Sequence, residues 1–163
     1  MKFEGAARSR LFAGLVALVI PLVAAAAPVI PGASLPSLAL EDQHGKVVTT
    51  RAGTRIVLFA ADKAASDLIN EVLLAQPAGV LDGLQAVYFA DISAMPALVT
   101  RMFALPALRE MPFAVGLGRD SAQLADLPRQ KGAATILRVD DGKVSRIDYA
   151  RTAEQLTQAI GLK

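Results

Sequence analysis

The chain lacks cysteine and tryptophan, has one histidine, and carries only six Phe and two Tyr among 163 residues. Without a thiol, disulfides, thiol catalysis, cysteine-ligated zinc and iron–sulfur clusters are excluded. A single imidazole, His44, excludes any site built on two. So few aromatics argue against a stacking platform for single-stranded nucleic acid. A surplus of one charge sign is missing too. The 17 Lys and Arg face 15 Asp and Glu, a net of +2, whereas a nucleic-acid binder needs a clustered cationic face. No nucleic-acid partner is expected. There is also no glycine-rich phosphate loop. Gly116-Leu117-Gly118 lacks the third glycine and the helix entry of a dinucleotide fingerprint. Asp140-Asp141-Gly142 offers too few oxygens for calcium, and Asp120 and Asp126 stand alone. No metal or organic cofactor is expected.

What is present is uneven. Lys2, Arg8 and Arg10 against Glu4 are followed by Leu11–Ala27, which has no charged residue, and Ala24–Ala27 supplies small residues for a cleavage site. The pattern is that of a secretory signal peptide, residues 1–26, cut after Ala26. The alternative is a retained inner-membrane anchor, the chain's only expected contact with a membrane. An apolar core of about 17 residues sits at the lower limit for spanning a bilayer, and Pro21 interrupts it, which favours cleavage. The four leader charges account for the whole +2, so the chain from Ala27 is formally neutral. The expected destination is the periplasm.

Residues 27–34, with Pro28, Pro31 and Gly32, read as an extended arm. Leu35–Leu40 alternates as an edge strand, Glu41–Gly45 is a polar turn, and Lys46–Thr50 returns as the second strand of a hairpin. Arg55–Ala60 is a nearly continuous apolar run, the mark of a central strand covered on both faces. Ser66–Ala75 places Leu68, Ile69, Val72 and Leu73 on one helical face, with Ser66 or Asp62 as cap. Leu84–Asp91 is a second central strand, so 55–91 is a β-α-β unit with a right-handed crossover. Pro96–Leu108 reads as a helix with Leu98, Met102, Phe103 and Leu105 facing the core, ended or kinked by Pro106. Phe113–Leu117 is a short strand and Ser121–Leu127 a short helix. Thr135–Val139 and Lys143–Tyr149 flank an Asp-Gly turn. Thr152-Ala153-Glu154-Gln155 is a capping box for a last helix that Gly161 stops.

That order resembles the thioredoxin-like superfamily, nearest to its secreted thiol–disulfide oxidoreductase and peroxiredoxin-like branch. The resemblance spans residues 35–163 and rests on three passages. Leu35–Lys46 is similar to that branch's opening hairpin. Phe113–Asp120 looks like the strand and turn of its insert, and Thr135–Ile147 looks like its terminal hairpin. It implies an α/β three-layer sandwich with an N-terminal β-hairpin and a strand-helix insert. It also implies a thiol site after the first central strand and a cis-proline before the terminal hairpin. The chain instead has Ala61–Ser66 at the first place and Gly132-Ala133-Ala134-Thr135 at the second. The redox chemistry of the family therefore does not carry over.

The candidate binding residues follow from those two places: Asp62, Lys63 and Ser66 at a helix start, and Ala134 and Thr135 beside them. A helix start offers free N–H groups and a favourable dipole, although plain capping explains the same residues. His44 reads as an exposed turn residue. Met95, Met102, Met111, Phe103 and Phe113 read as core, with an adaptable binding surface as the alternative. The expectation is an exported, redox-inactive binding module for another periplasmic protein or peptide. The alternative is a non-thiol enzyme or small-ligand binder that uses the Asp62 cluster.

Overall fold

The computed structural model describes residues 27–162. The leader, the cleavage site and the anchor alternative lie outside the described residues. Among the described residues no helix is long and apolar enough to cross a membrane.

The alternation at Leu35–Leu40 yields a shorter and later strand than its length predicts. β1 (Ala39–Glu41) pairs antiparallel with β2 (Val47–Thr49). Ahead of it the chain is held by Thr50, whose Oγ1 accepts from the Leu38 N–H at 2.9 Å and donates to the Pro36 carbonyl at 2.9 Å. The intervening turn is polar but not solvated throughout. Asp42 is buried, and its Oδ1 accepts from the N–H groups of His44 and Lys46 at 2.7 and 2.8 Å. Gln43 is buried as well. Its Nε2 donates to the Phe113 carbonyl at 2.7 Å, and its Oε1 accepts from the Val115 N–H at 3.0 Å. One amide side chain thereby pins the hairpin to a segment seventy residues away.

The apolar run becomes β3 (Ile56–Ala60), buried at all five positions. The helix that follows, α1 (Lys63–Leu74), starts three residues earlier than the apolar periodicity alone indicates, because Asp62 caps it. A four-residue helix, α2 (Val80–Gly83), leads into β4 (Ala86–Asp91). β3 and β4 are parallel, in the register Ile56↔Ala86 to Ala60↔Ala90. After β4 come α3 (Ala97–Val99), a π-helical turn at Thr100–Ala104, and α4 (Leu105–Arg109). β5 (Gly116–Gly118), β6 (Ala134–Asp140), β7 (Lys143–Ala150) and α5 (Ala153–Ile160) complete the chain. The sheet order is β5-β4-β3-β6-β7, with β6 antiparallel to both β3 and β7.

Two apolar clusters cover the two faces of this sheet. One joins Leu58, Tyr88 and Ile136 to Ile69 and Leu73 of α1 and to Leu156 and Ile160 of α5. The other joins Val57, Phe59, Phe89 and Leu137 to Leu38 and Leu40 of the hairpin and to Leu124 and Leu127. The layers are therefore helices, sheet, and a third layer of hairpin and loop. β5 carries two glycines for a packing reason. A Cβ at Gly116 would lie 2.5 Å from the Phe89 ring, and one at Gly118 would lie 2.5 Å from Leu124 Cδ1. The arm joins the third layer: Val29 N–H donates to the Asp126 carbonyl, and Ser34 bridges to Lys143.

Two helical expectations are corrected. Residues 121–127 form successive turns, not a helix. The bonds there span three residues rather than four, from Gln123 N–H to the Asp120 carbonyl, Ala125 N–H to that of Ala122 and Leu127 N–H to that of Leu124. Gln123 Oε1 and Asp120 Oδ1 meanwhile take the N–H groups of Arg119, Asp120 and Ala122 in side-chain turns. The second correction concerns the 97–109 helical stretch. Pro106 neither ends nor breaks it. Pro106 lacks an N–H and would crowd the carbonyl four residues back. The wide turn just before it absorbs the misfit, with the Leu105 N–H bonded to the Thr100 carbonyl. That extra residue shifts the helical phase. Thr100 and Leu108 turn inward, while Leu98, Met102 and Phe103 are 68%, 59% and 67% exposed rather than facing the core. Phe113 is buried as expected.

Candidate functional site

The carboxyl ends of parallel strands are where α/β sheets present ligand sites. Here β3 ends beside Asp62 and β4 ends at Asp91. Each acid reaches the 119–133 loop that connects β5 to β6. Asp62 Oδ1 accepts from the Ala65 N–H at 2.9 Å, as a helix N-cap, and Oδ2 accepts from the Gly132 N–H at 2.7 Å. Burial by itself would raise the Asp62 pKa. The backbone donors of Ala65, Gly132 and Ala64, together with the Lys131 charge, outweigh it and hold the carboxyl below the usual carboxylate range.

Asp91 Oδ2 accepts from Arg129 Nη1 at 2.9 Å, and its Oδ1 accepts from the Ser93 N–H and Oγ. Arg129 also donates from Nη2 to the Leu124 carbonyl at 2.7 Å and lies 5.2 Å from the centroid of the Phe59 ring. Its guanidinium thus ties the loop to two strands by hydrogen bonds and by contact with an aromatic face.

The five candidate residues do different things in this arrangement. Asp62 joins the helix start to the loop. Lys63 projects into solvent and pairs with Asp67 one turn on. Ser66 is half-buried, with Oγ 3.1 Å from the hydroxyl of the fully buried Tyr88. Burial pushes that phenol far above its ordinary range. The Ser66 hydrogen bond opposes the shift, and the Asp67 charge adds to it. Ala134 and Thr135 are fully buried, and Thr135 Oγ1 donates to the Pro128 carbonyl at 2.9 Å. They hold the loop from beneath. Arg151 donates to the Lys131 carbonyl and to Gln130 Oε1, which brings its guanidinium against the 130–131 stretch of the loop. His44 is exposed in its turn.

The sequence alone singles out none of Asp91, Arg129 and Gln43. Asp91 ends a predicted strand and so sits at a recognisable position. Nothing local marks Arg129 or Gln43, whose partners lie far away in sequence.

No protein-family model matches the sequence, and no curated protein matches it either. Solved structures do. A thio-disulfide isomerase from Thermus thermophilus is 23% identical, with a TM-score of 0.50 over 83% of this chain and 99% of that one. A peroxiredoxin-like protein from Aquifex aeolicus is 9% identical, with a TM-score of 0.52 over 83% and 89%. A SCO1/SenC family lipoprotein from Bacillus anthracis is 9% identical, with a TM-score of 0.50 over 80% and 94%. The fold is thioredoxin-like. Within that thioredoxin-like frame the chain has no cysteine. Asp62 and Gly132 stand where the resemblance puts the thiol and the proline loop. They are joined by a hydrogen bond.

Proposed function

We propose that this protein is an exported, redox-inactive thioredoxin-like module that binds a protein or peptide partner in the periplasm. The observation that carries this reading is the bond from Asp62 Oδ2 to the Gly132 N–H at 2.7 Å. It turns the two halves of a redox site into one fixed polar surface without a thiol. The partner face is the surface over Asp62, Lys63 and Ser66 and the 128–135 loop. Ala134 and Thr135 support it from below, while Lys131 and Arg151 give its rim a positive charge suited to an acidic partner segment. Export is supported by the leader pattern at residues 1–26 and by the fold's likeness to a SCO1/SenC family lipoprotein.

A non-thiol enzyme has less support. Both Asp62 oxygens accept backbone bonds, Lys63 is paired, and Ser66 meets Tyr88. Crosslinked pull-down from periplasmic extract tests the proposal. The wild type is expected to enrich a partner that the double charge reversal Lys131→Glu, Arg151→Glu loses while it stays folded by circular dichroism. Equal enrichment by the reversed variant would defeat the assigned face. Insulin reduction and peroxide turnover are expected at background, and turnover in either would defeat the redox-inactive reading.

A further inference from the structure

The five-stranded sheet ends at β7, which pairs with β6 on one side. The arm covers the first part of its other side. The Gly32 and Leu35 N–H groups bond the Val144 and Gly142 carbonyls, and the Val144 N–H bonds the Ala33 carbonyl. The arm then leaves the edge for Asp126, whose carbonyl accepts from the Val29 N–H. From Ser145 to Tyr149 no loop or arm residue bonds the β7 backbone among the described residues. Ser145 and Arg146 are exposed there, and Ile147, Asp148 and Tyr149 are half-buried. A cleft of about 460 Å3 between β7 and α5 opens beside Arg146 and Asp148. An uncovered edge strand is a template for another strand. The bulge that would blunt it sits at the arm end, opposite Arg138 and Val139, and the ladder is regular from Arg146 onward.

Two charges stand on this open stretch. Arg146 and Asp148 flank Ile147, so strand alternation puts both on one face. Arg146 Nε and Nη2 both reach Asp148 Oδ1, at 2.8 and 2.7 Å. Arg146 Nη1 and Asp148 Oδ2 are left without a protein partner among the described residues. On the inner side of the strand Arg146 stands directly opposite Arg138. Like charges directly opposite are unfavourable, so an acid on the outer side of Arg146 gains in value.

We propose that the open edge of β7 pairs with the β7 of a second copy of this chain, antiparallel, about a two-fold axis at Ile147. The contact is isologous, and the two five-stranded sheets become one continuous sheet. Charge complementarity selects both the occupant and the register. A two-fold axis normal to the sheet keeps each face on its own side, so paired residues differ by an even number of positions. Three registers then centre on the charged stretch. Centring on Arg146 sets that arginine against its own copy, and centring on Asp148 does the same with two carboxylates. Centring on Ile147 sets each Arg146 against the partner's Asp148, which joins the unused Nη1 and Oδ2 atoms in a ring of alternating charge. Opposite-charge pairs across an antiparallel ladder are favourable. None of these residues belongs to the partner face proposed above, so this inference goes beyond that reading and stands or falls separately from it.

Sedimentation velocity on the protein from Ala27 onward tests it. The wild type is expected to form a dimer that dissociates on dilution. Arg146→Asp and Asp148→Arg are each expected to weaken it at least about tenfold, because each sets like charges opposite one another twice. An equimolar mixture of the two variants is expected to dimerise again, since the two acids of one face the two arginines of the other. A role confined to the pair within one chain produces no such rescue. Leu98→Asp, on the exposed helix, is expected to leave the dimer unchanged. A second measurement does not depend on charge reversal. Ile147→Cys places the chain's only thiol on the axis, at a cross-strand distance within disulfide reach, and is expected to oxidise to a covalent dimer faster than Leu98→Cys. The proposal is overturned by a wild type that stays monomeric at millimolar concentration or by a mixture that associates no better than its components. Loss of the dimer in Leu98→Asp, or Ile147→Cys crosslinking no faster than Leu98→Cys, would overturn it too.

Discussion

The two ends of the central strand pair differ in how their polar groups are satisfied. At the carboxyl end, two acids and an arginine close a loop onto the sheet: Asp62 on Gly132, and Asp91 on Arg129, which also bonds the Leu124 carbonyl. At the amino end, half of the β4 edge meets no strand, yet Ala86 and Tyr88 there are buried, so packing rather than directed side-chain bonds closes it. One end of the strand pair is thus closed by a few directed hydrogen bonds and the other by packing. The carboxyl end, which carries no thiol, is a structural joint held by Asp62, Asp91 and Arg129.

The contrast is broken most severely at Asp62. Asp62→Ala removes an N-cap, worth about 0.5–2 kcal/mol, and a charge-assisted bond to Gly132, worth about 1.5–3 kcal/mol. A loss of about 2–4 kcal/mol in urea unfolding is expected. Thr135→Val comes next. It strips the buried Pro128 carbonyl of its donor at nearly constant shape, with an expected cost of about 1–3 kcal/mol by the same measurement. A third test uses pH. The folded pKa of Asp62 is held below its unfolded value. Its charge-linked stabilisation is therefore present above the unfolded carboxylate pKa of about 3.9 and is lost as pH falls through the lower folded value. Asp62→Asn keeps a capping side chain and is expected to flatten that part of the acid stability profile. The smallest effect belongs to the hairpin at the amino end. Val47 is exposed, and Val47→Asp is expected to change stability by under about 0.5 kcal/mol in the same urea measurement.

Much of this architecture was legible in the sequence because it rests on local pattern. Arg55–Ala60 and Leu84–Asp91 are apolar runs too continuous for half-exposed strands. Asp141-Gly142 marks a tight turn with both φ angles positive, and Thr152 caps α5 through the Gln155 N–H. What was not legible depends on distance or on phase. Gln43 and the Asp91–Arg129 pair act across 70 and 38 residues, and no local periodicity records such contacts. Leu98, Met102 and Phe103 have core-like spacing at 3.6 residues per turn, but the π-turn before Pro106 changes the phase that this spacing assumes. At the candidate site, Asp62 was readable as a cap. Its second bond, to Gly132, was not, because that bond depends on where the long β5–β6 connection folds back.

Residue-resolved amide hydrogen exchange tests both ends at once. The account predicts a protected Gly132 N–H that becomes labile in Asp62→Ala. Val87 and Phe89, in the parallel β3–β4 ladder, are expected to stay protected in both proteins. A Gly132 amide as labile in the wild type as in Asp62→Ala would contradict it.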